Sequence, residues 1–330
     1  MNGTFNRSQE HVSCIPLQEH IKLLQLSFGS WFTIFSIVII SINGTIAVLS
    51  ASLNAFFIWV FVRTSSLRKA STYFVLGLVC SDSGVAVLSQ PAYCIMKFAE
   101  YKGKPSLFCD SGYVFTVTAW LFASISFCTL TCITGDRFVA IKFSLRYRTI
   151  VTTRRCWKTL VSIWVFCGLI GPVCRVYALN PFSLVTVSVL FSALLCLNCF
   201  FLVALSLEIR RHSASIRQNF PSTEIDRQMS SSRRSLKSMY YIAGAFVLCY
   251  MPYFVSLLIL MFIGGQFTNF FRCLFTVTET LIMVNGLLNP LIYCVGNQEM
   301  RSAVCDVLPF TLSRGSERQV REEIEMQEIN

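Results

Sequence analysis

The sequence predicts an all-α protein: a seven-transmembrane helix bundle followed by a short C-terminal amphipathic helix. Three observations carry that prediction. Hydrophobic residues make up 54% of the 330 and charged residues only 14%, with a mean hydropathy of +0.59, whereas a soluble domain carries roughly 25% charged residues. Apolar runs bounded by charge or by Gly and Pro fall near 33–62, 71–96, 112–140, 157–177, 183–207, 236–263 and 269–295, each near or above the roughly 20 residues that a bilayer-crossing helix needs. Lys and Arg collect on alternate connections, with three at 63–69, seven at 136–158, seven at 208–237 and four at 298–330, together 21 of 28. Because cationic loops stay on the cytoplasmic side, this asymmetry puts the N-terminus outside and the C-terminus inside.

The chain then divides into an extracellular segment (1–30), the bundle (31–296), the amphipathic helix (297–308) and a cytoplasmic tail (309–330). The first segment contains Asn2-Gly3-Thr4 and Asn6-Arg7-Ser8, acceptor patterns for glycosylation of a translocated stretch. No basic start with a short apolar core and a small-residue cleavage site precedes residue 30, so the first span is expected to anchor itself. Asn43-Gly44-Thr45 repeats the acceptor pattern inside that span and is expected to stay unmodified. Past the seventh span, Met300, Val304, Val307 and Leu308 recur at helical spacing opposite Arg301 and Asp306, the pattern of a helix lying in the membrane interface. After Pro309 the tail reads "SRGSERQVREEIEMQE", a composition that predicts disorder.

Several function classes fall away. The net charge of +11 does not mark a nucleic-acid partner, because the basic residues sit in short loops beside the spans, where topology and anionic membrane lipid account for them. Most of the fifteen cysteines, Cys80, Cys128, Cys132, Cys196 and Cys199 among them, lie inside spans as small apolar residues. Only Cys14, Cys94, Cys109, Cys174 and Cys273 lie near the outer face. His11, His20 and His212 form no ligand cluster, and no metal site, phosphate loop or nucleophile motif is present. An enzyme is therefore not indicated. A multispan transporter or channel is the alternative, but no span pattern recurs as the internal repeats of transporters do.

Charges embedded in lipid are costly unless paired or hydrated, so the few present are informative. Asp82 lies in the second span, flanked by Cys80, Ser81 and Ser83. Its candidate partners are Asn54, Ser126, Asn285 and Asn289; the last two are four residues apart and share a helix face, and Pro290 frees a backbone carbonyl near their level. Oxygen groups around one carboxylate suit a water cluster or a small cation such as sodium, or serve as plain interhelical hydrogen bonds. Glu279 precedes Pro290 by eleven residues, about three turns, and either faces a cavity and binds a cationic group or pairs with Arg272 or Lys97. Thr116, Trp120, Ser124 and Tyr253 are candidates to line the same cavity, with Tyr250. The third span carries no charge from Ser111 to Gly135 and then ends on adjacent Asp136 and Arg137. There the carboxylate can neutralise the guanidinium where water is screened, or the arginine simply snorkels to the interface.

Asn54, "LVCSD" ending at Asp82, "DRF" at 136–138, Trp164, "FVLCYMP" at 246–252 and "NPLIY" at 289–293 occur in order, one per span in six of the seven. This series resembles the rhodopsin-like (class A) G-protein-coupled receptors over about residues 31 to 308. Short outer loops, with only about Arg175 to Phe182 between spans four and five, further resemble the melanocortin, adenosine, cannabinoid and lysophospholipid group. The resemblance implies a multi-pass protein of the cell membrane. It would bind an extracellular small-molecule, lipid or peptide ligand and activate heterotrimeric G proteins by outward movement of the sixth helix. It makes Arg137 a switch released from Asp136, with Leu145 in the neighbouring loop, Pro252 permitting a bend, Phe246 a packing switch and Tyr293 an inward-swinging side chain. It allows sodium as an ion at Asp82 and either palmitoylation at Cys305 or an unmodified cysteine there, while Cys109 stands three residues before the family's usual bridging cysteine, so that a Cys109–Cys174 disulfide is a pairing open to two cysteines at outer helix ends.

Departures from the family pattern sharpen the reading. Tyr250 stands where a tryptophan is usual, and Ser230, Ser231 and Ser232 occupy the region where many relatives keep a glutamate that locks the arginine, so appreciable basal activity is expected. The fifth span has no proline and places Leu205 and Ser206 where the family has a tyrosine. Ala119 occupies the position of the aspartate of amine receptors, and Met283 the position of the lysine of opsins. Neither an amine receptor nor an opsin is indicated.

Overall fold

The computed structural model describes residues 30–143, 146–176, 181–219, 223–262, 269–296 and 298–307. Eight helices carry the fold: α1 (Ser30–Arg63), α2 (Ala70–Lys102), α3 (Pro105–Lys142), α4 (Thr153–Val176), α5 (Pro181–Asn219), α6 (Thr223–Phe262), α7 (Asn269–Gly296) and α8 (Gln298–Val307). A 3₁₀ turn at Ser65–Leu67 links α1 to α2, and a one-turn helix at Tyr147–Ile150 lies between α3 and α4. By length and apolarity, six of the described helices can cross a membrane. The seventh rod, α4, begins with Arg154, Arg155 and Lys158 and packs against α2 and α3. Below, the end of the bundle at which α1 begins is the N-face and the opposite end the C-face.

A helix lies over each predicted apolar run, but several run longer. α5 and α6 extend over 39 and 40 residues, nearly 60 Å at 1.5 Å per residue, twice the hydrocarbon thickness of about 30 Å. Apolarity marks where lipid ends, not where backbone hydrogen bonding ends; a helix continues into water wherever Arg, Glu, Gln and Ser let it. Residues 1–29, the loop residue Leu145, Leu308 and the tail from 309 onward lie outside the described residues.

Two local features set the register of α2 and α3. Pro91 cannot donate to the helical ladder, and a π-helical turn at Val85–Ser89 directly precedes it, the widened turn absorbing the lost bond. α2 then stops at Gly103, whose φ of 63° and ψ of 41° lie in the left-handed region, where only glycine is free of strain. Lys104 N–H reaches back to Ala99 O at 2.9 Å and Pro105 opens α3, so that residues 103–104 alone separate the two helices.

α3 is the central rod, in contact with α2, α4 and α5. Its approach to α2 depends on Gly84: a Cβ there would lie 2.3 Å from the Phe122 ring. The main core fills the C-face half, built on Phe57, Leu78, Leu130, Ile242, Phe246 and Tyr293. A smaller cluster of Ile39, Tyr93, Met96, Phe115 and Met283 fills the N-face half. Large apolar side chains such as Val48, Leu169, Leu248 and Phe262 point outward, as a lipid-facing surface requires.

Candidate functional site

The polar side chains buried in the bundle gather at three levels. At the C-face, Arg137 Nη2 lies 3.1 Å from Asp136 Oδ2, with the acid side chain 3% exposed and the base 31%. This is a charge pairing rather than an aligned hydrogen bond, since Asp136 Oδ2 has no hydrogen-bonded donor among the described residues. The other oxygen, Oδ1, accepts from Tyr147 OH at 2.8 Å. Burial, reinforced by the neighbouring carboxylate, pushes the Tyr147 phenol up to about 12, so it stays a donor at physiological pH. Sequence reasoning missed Tyr147, because nothing local marks a loop tyrosine; only the fold of the loop returns it to Asp136. Tyr293 is 2% exposed, and its hydroxyl sits within electrostatic reach of both Asp82 and Arg137.

Above this level α3 and α6 meet through stacked rings. Phe246 lies 4.5 Å from Phe127 and 4.1 Å from Tyr250, both at 6° between planes. Phe246 and Tyr250 are four residues apart and so share one face of α6. Tyr250, expected to line the ligand cavity, is instead 8% exposed in the main core; its i, i+4 relation to Phe246 turns it onto the ring stack. At the lipid side, Tyr240 of α6 and Ser206 of α5 share a hydrogen bond, so Ser206 does tie α5 to α6 at the position where the family tyrosine is missing.

At mid-depth, Asp82 Oδ2 accepts from Asn289 Nδ2 at 2.9 Å and Oδ1 from Ser126 Oγ at 3.3 Å, while Ser126 also meets Ser81 Oγ at 2.8 Å. Asn54, expected among the partners of Asp82, donates elsewhere: to Gly286 O at 3.0 Å and to Ser50 O at 2.9 Å. The reason is Pro290. Its missing N–H leaves the Gly286 carbonyl, four residues back, without a helical donor, and Asn54 supplies one from α1. Replacing Asn54 with alanine is therefore expected to orphan a buried carbonyl and cost about 1–3 kcal/mol, read as a lowered thermal unfolding midpoint of the purified protein; an unchanged midpoint would contradict this role. Asn285 is 2% exposed and its Oδ1, like Asn289 Oδ1 and Asn54 Oδ1, has no hydrogen-bonded partner among the described residues. Ser126 and Ser81 hydroxyl oxygens and the Asn289 amide thus gather at one carboxylate that makes no ion pair with a described residue, a set of groups that a sodium ion or water can use.

Near the N-face, Glu100 gathers both bases that had been open partners for Glu279. Arg272 reaches Glu100 Oε1 through Nε and Nη2, and Lys97 Nζ lies 3.4 Å from Oε2 while donating to Thr276 Oγ1 at 2.8 Å. Glu279 is half-buried beside Tyr93 of α2 and Tyr253 of α6. Thr116, Trp120 and Ser124, four residues apart in series on α3, are all half-buried; Thr116 Oγ1 bonds back to Gly112 O at 2.7 Å. Glu100 and Tyr93 were not singled out from the sequence, although an acid three residues after Lys97 was a readable signal. Asn198 of α5 was missed too: it donates to Thr131 Oγ1 at 2.7 Å, and an asparagine inside an apolar run is itself a signal.

Cys109, in the second turn of α3, is disulfide-bonded, and its partner lies outside the described residues. The Cys174 side chain, and Asn2 and Asn6, are likewise outside them. Cys305 is exposed on α8. Among the described residues no group of His, Cys, Asp and Glu is placed to hold a metal.

A bundle of apolar rods long enough to cross a membrane, with an ionic cluster buried near one end and an acid–base pair at the other, is the architecture of a multi-pass membrane protein. The family model described as "7 transmembrane receptor (rhodopsin family)" matches residues 53–293, and the chain belongs to that family. It is 27% identical to human melanocortin receptor 3 over 271 residues, 80% of this chain and 83% of that one. It is 27% identical to human melanocortin receptor 5 over 270 residues (80% and 82%) and 26% identical to the mouse melanocortin receptor 5 over 274 (80% and 82%). The family is one of receptors rather than enzymes, and it does not favour the transporter or channel alternative.

Proposed function

We propose that this receptor binds an extracellular ligand between its helices at the N-face and activates a heterotrimeric G protein at the C-face, with the N-terminus outside and the C-terminus inside. One observation carries the reading: Arg137 is held by Asp136 at the C-face end of the central helix, while α6, stacked on that helix through Phe246 and Phe127, contains Pro252, where the ladder is interrupted and bending is easy. Outward movement of the C-face half of α6 uncovers Arg137 for the partner. The ligand acts by population shift, binding the open bundle more tightly than the closed one.

Around this core, sodium is a candidate ion at Asp82, held with Ser126 and Asn289 and the unpartnered oxygen of Asn285. Cys109–Cys174 bridging, glycosylation at Asn2 and Asn6, and palmitoylation at Cys305 complete the proposal. The relatives are melanocortin receptors, which makes a melanocortin the first ligand to test, ahead of small molecules and lipids. The missing glutamate lock at Ser230–Ser232 supports appreciable basal activity. The deciding experiment measures nucleotide exchange on added G protein by the receptor in nanodiscs, without ligand and across a ligand panel. Exchange above the empty-nanodisc background supports the reading. Background exchange throughout, with ion flux in a voltage-clamped cell, would replace it by the transporter class.

A further inference from the structure

α5 is tied to α3 on one side and to α6 on the other by polar side chains set in an apolar helix. Asn198 is 3% exposed, and both ends of its amide are in use. Nδ2 donates to Thr131 Oγ1 at 2.7 Å and to Leu194 O at 3.0 Å, while Oδ1 accepts from Thr134 Oγ1 at 3.3 Å. Thr131 and Thr134 are three residues apart on α3 and share a helix face, so one side chain of α5 clasps a whole turn of the central helix. Phe201, three residues further on, extends the contact, its ring 6.0 Å from that of Phe138, the neighbour of Arg137. A buried amide is costly without its partners, so α5 cannot slide or roll on α3 without breaking both bonds across the interface.

The second contact lies eight residues after Asn198, about 12 Å nearer the C-face. Ser206 Oγ donates to Leu202 O at 2.6 Å. Its one proton is thereby committed, so the hydrogen bond between Ser206 and Tyr240 is donated by the phenol. Tyr240 precedes Pro252 by twelve residues, about 18 Å along α6. A bend at Pro252 that carries the C-face half of α6 outward swings Tyr240 on a lever of that length. Ser206 cannot follow, because Asn198 holds α5 to α3. The bond to Tyr240 must break for Arg137 to be uncovered.

We propose that α5 is a strap that restrains opening: Asn198 fixes it to Thr131 and Thr134 of α3, and Ser206 holds Tyr240 of α6 against it, the two links acting in series with each other and in parallel with the Arg137–Asp136 pair. This rests on the reading of α6 movement as the opening step. Asn198, Ser206 and Tyr240 are positioning residues, acting on Arg137 through the place of α6. Two links in series release together when either is cut, so their effects do not multiply.

The test uses the full-length receptor in lipid nanodiscs, with two readouts. One is unstimulated nucleotide exchange on added G protein. The other needs no G protein: the rate at which N-ethylmaleimide alkylates Cys249 of α6, buried in the C-face core, read by peptide mass spectrometry. Tyr240→Phe, Ser206→Ala and Asn198→Leu each raise both rates about threefold, the weight of one hydrogen bond. Asn198→Leu combined with Tyr240→Phe gives no more than the larger single effect, whereas separated side chains in a merely structural role add. Thr131 and Thr134 keep their bonds to Phe127 O and Leu130 O at 2.9 Å, and Ser206 keeps Leu202 O, so the variants leave no buried hydroxyl unpaired. Unchanged rates in any of the three single variants, or a multiplied effect in the double variant, overturn the proposal. Should Asn198→Leu fail to fold, Tyr240→Phe and Ser206→Ala decide: equal rises that do not add support it, and additive or absent rises overturn it. Faster alkylation without exchange in any variant sinks the receptor mechanism alone. Wild-type exchange with both rates unmoved by the substitutions sinks this inference alone.

Discussion

Arg137→Ala is expected to abolish ligand-stimulated nucleotide exchange, and Asp136→Asn to raise unstimulated exchange about fivefold, in receptor reconstituted with a G protein. The two substitutions act on one contact from opposite sides. Arg137 Nη2 lies 3.1 Å from a carboxylate that is itself almost fully buried. Asparagine keeps the shape and an acceptor for Tyr147, but removes the charge that holds the guanidinium. A partly screened pair of this kind contributes about 1 kcal/mol, and 1 kcal/mol is a factor of roughly five in the closed-to-open ratio. The closed population falls by that factor and basal turnover rises with it. Alanine at 137 leaves the bundle free to open but gives the partner no cation to meet. Wild-type basal turnover in Asp136→Asn, together with retained stimulation in Arg137→Ala, would remove the pair from the mechanism.

Phe246→Ala is expected to be the most destabilising substitution of a single side chain in the C-face core, at about 3–5 kcal/mol. The ring is 2% exposed and stacked on both faces, by Phe127 from α3 and Tyr250 from its own helix. Truncation removes two aromatic contacts worth about 0.5–1.5 kcal/mol each beyond their area and leaves a cavity between rods that hydrophobic neighbours cannot collapse without moving α6. Thermal unfolding of the detergent-purified protein should show a midpoint lower by several degrees, with Phe246→Leu intermediate. Coincident melting curves for wild type and Phe246→Ala would show that the stack carries no weight.

How much of this was readable along the chain differs from residue to residue. The span positions were readable because burial in lipid is a sum over consecutive residues. Asp82, Asn289 and Ser126 were readable as one group because each is polar inside an apolar run, and the hydrogen bonds connect them. Asn54 was readable as buried but not as a donor to Gly286 O: that contact follows from Pro290 on another helix and from the rotation of α1 against α7. Lys97 and Arg272 were readable as bases near the rim, but their meeting at Glu100 was not, since it depends on how α2 and α7 bring the three side chains within reach.

The amino-acid sequence alone determined that this chain crosses a membrane seven times and ends its central span on an acid and a base. Hydropathy and charge act locally, through the solvent each segment can tolerate. Only the tertiary structure decided which charged and polar groups find one another: Tyr147 on Asp136, and Glu100 with two bases. Electrostatic and hydrogen-bond partners are chosen by distances of a few ångströms between helices far apart in the chain, and those distances are set by how each rod is rotated and where Gly84, Pro91 and Gly103 let it approach its neighbour.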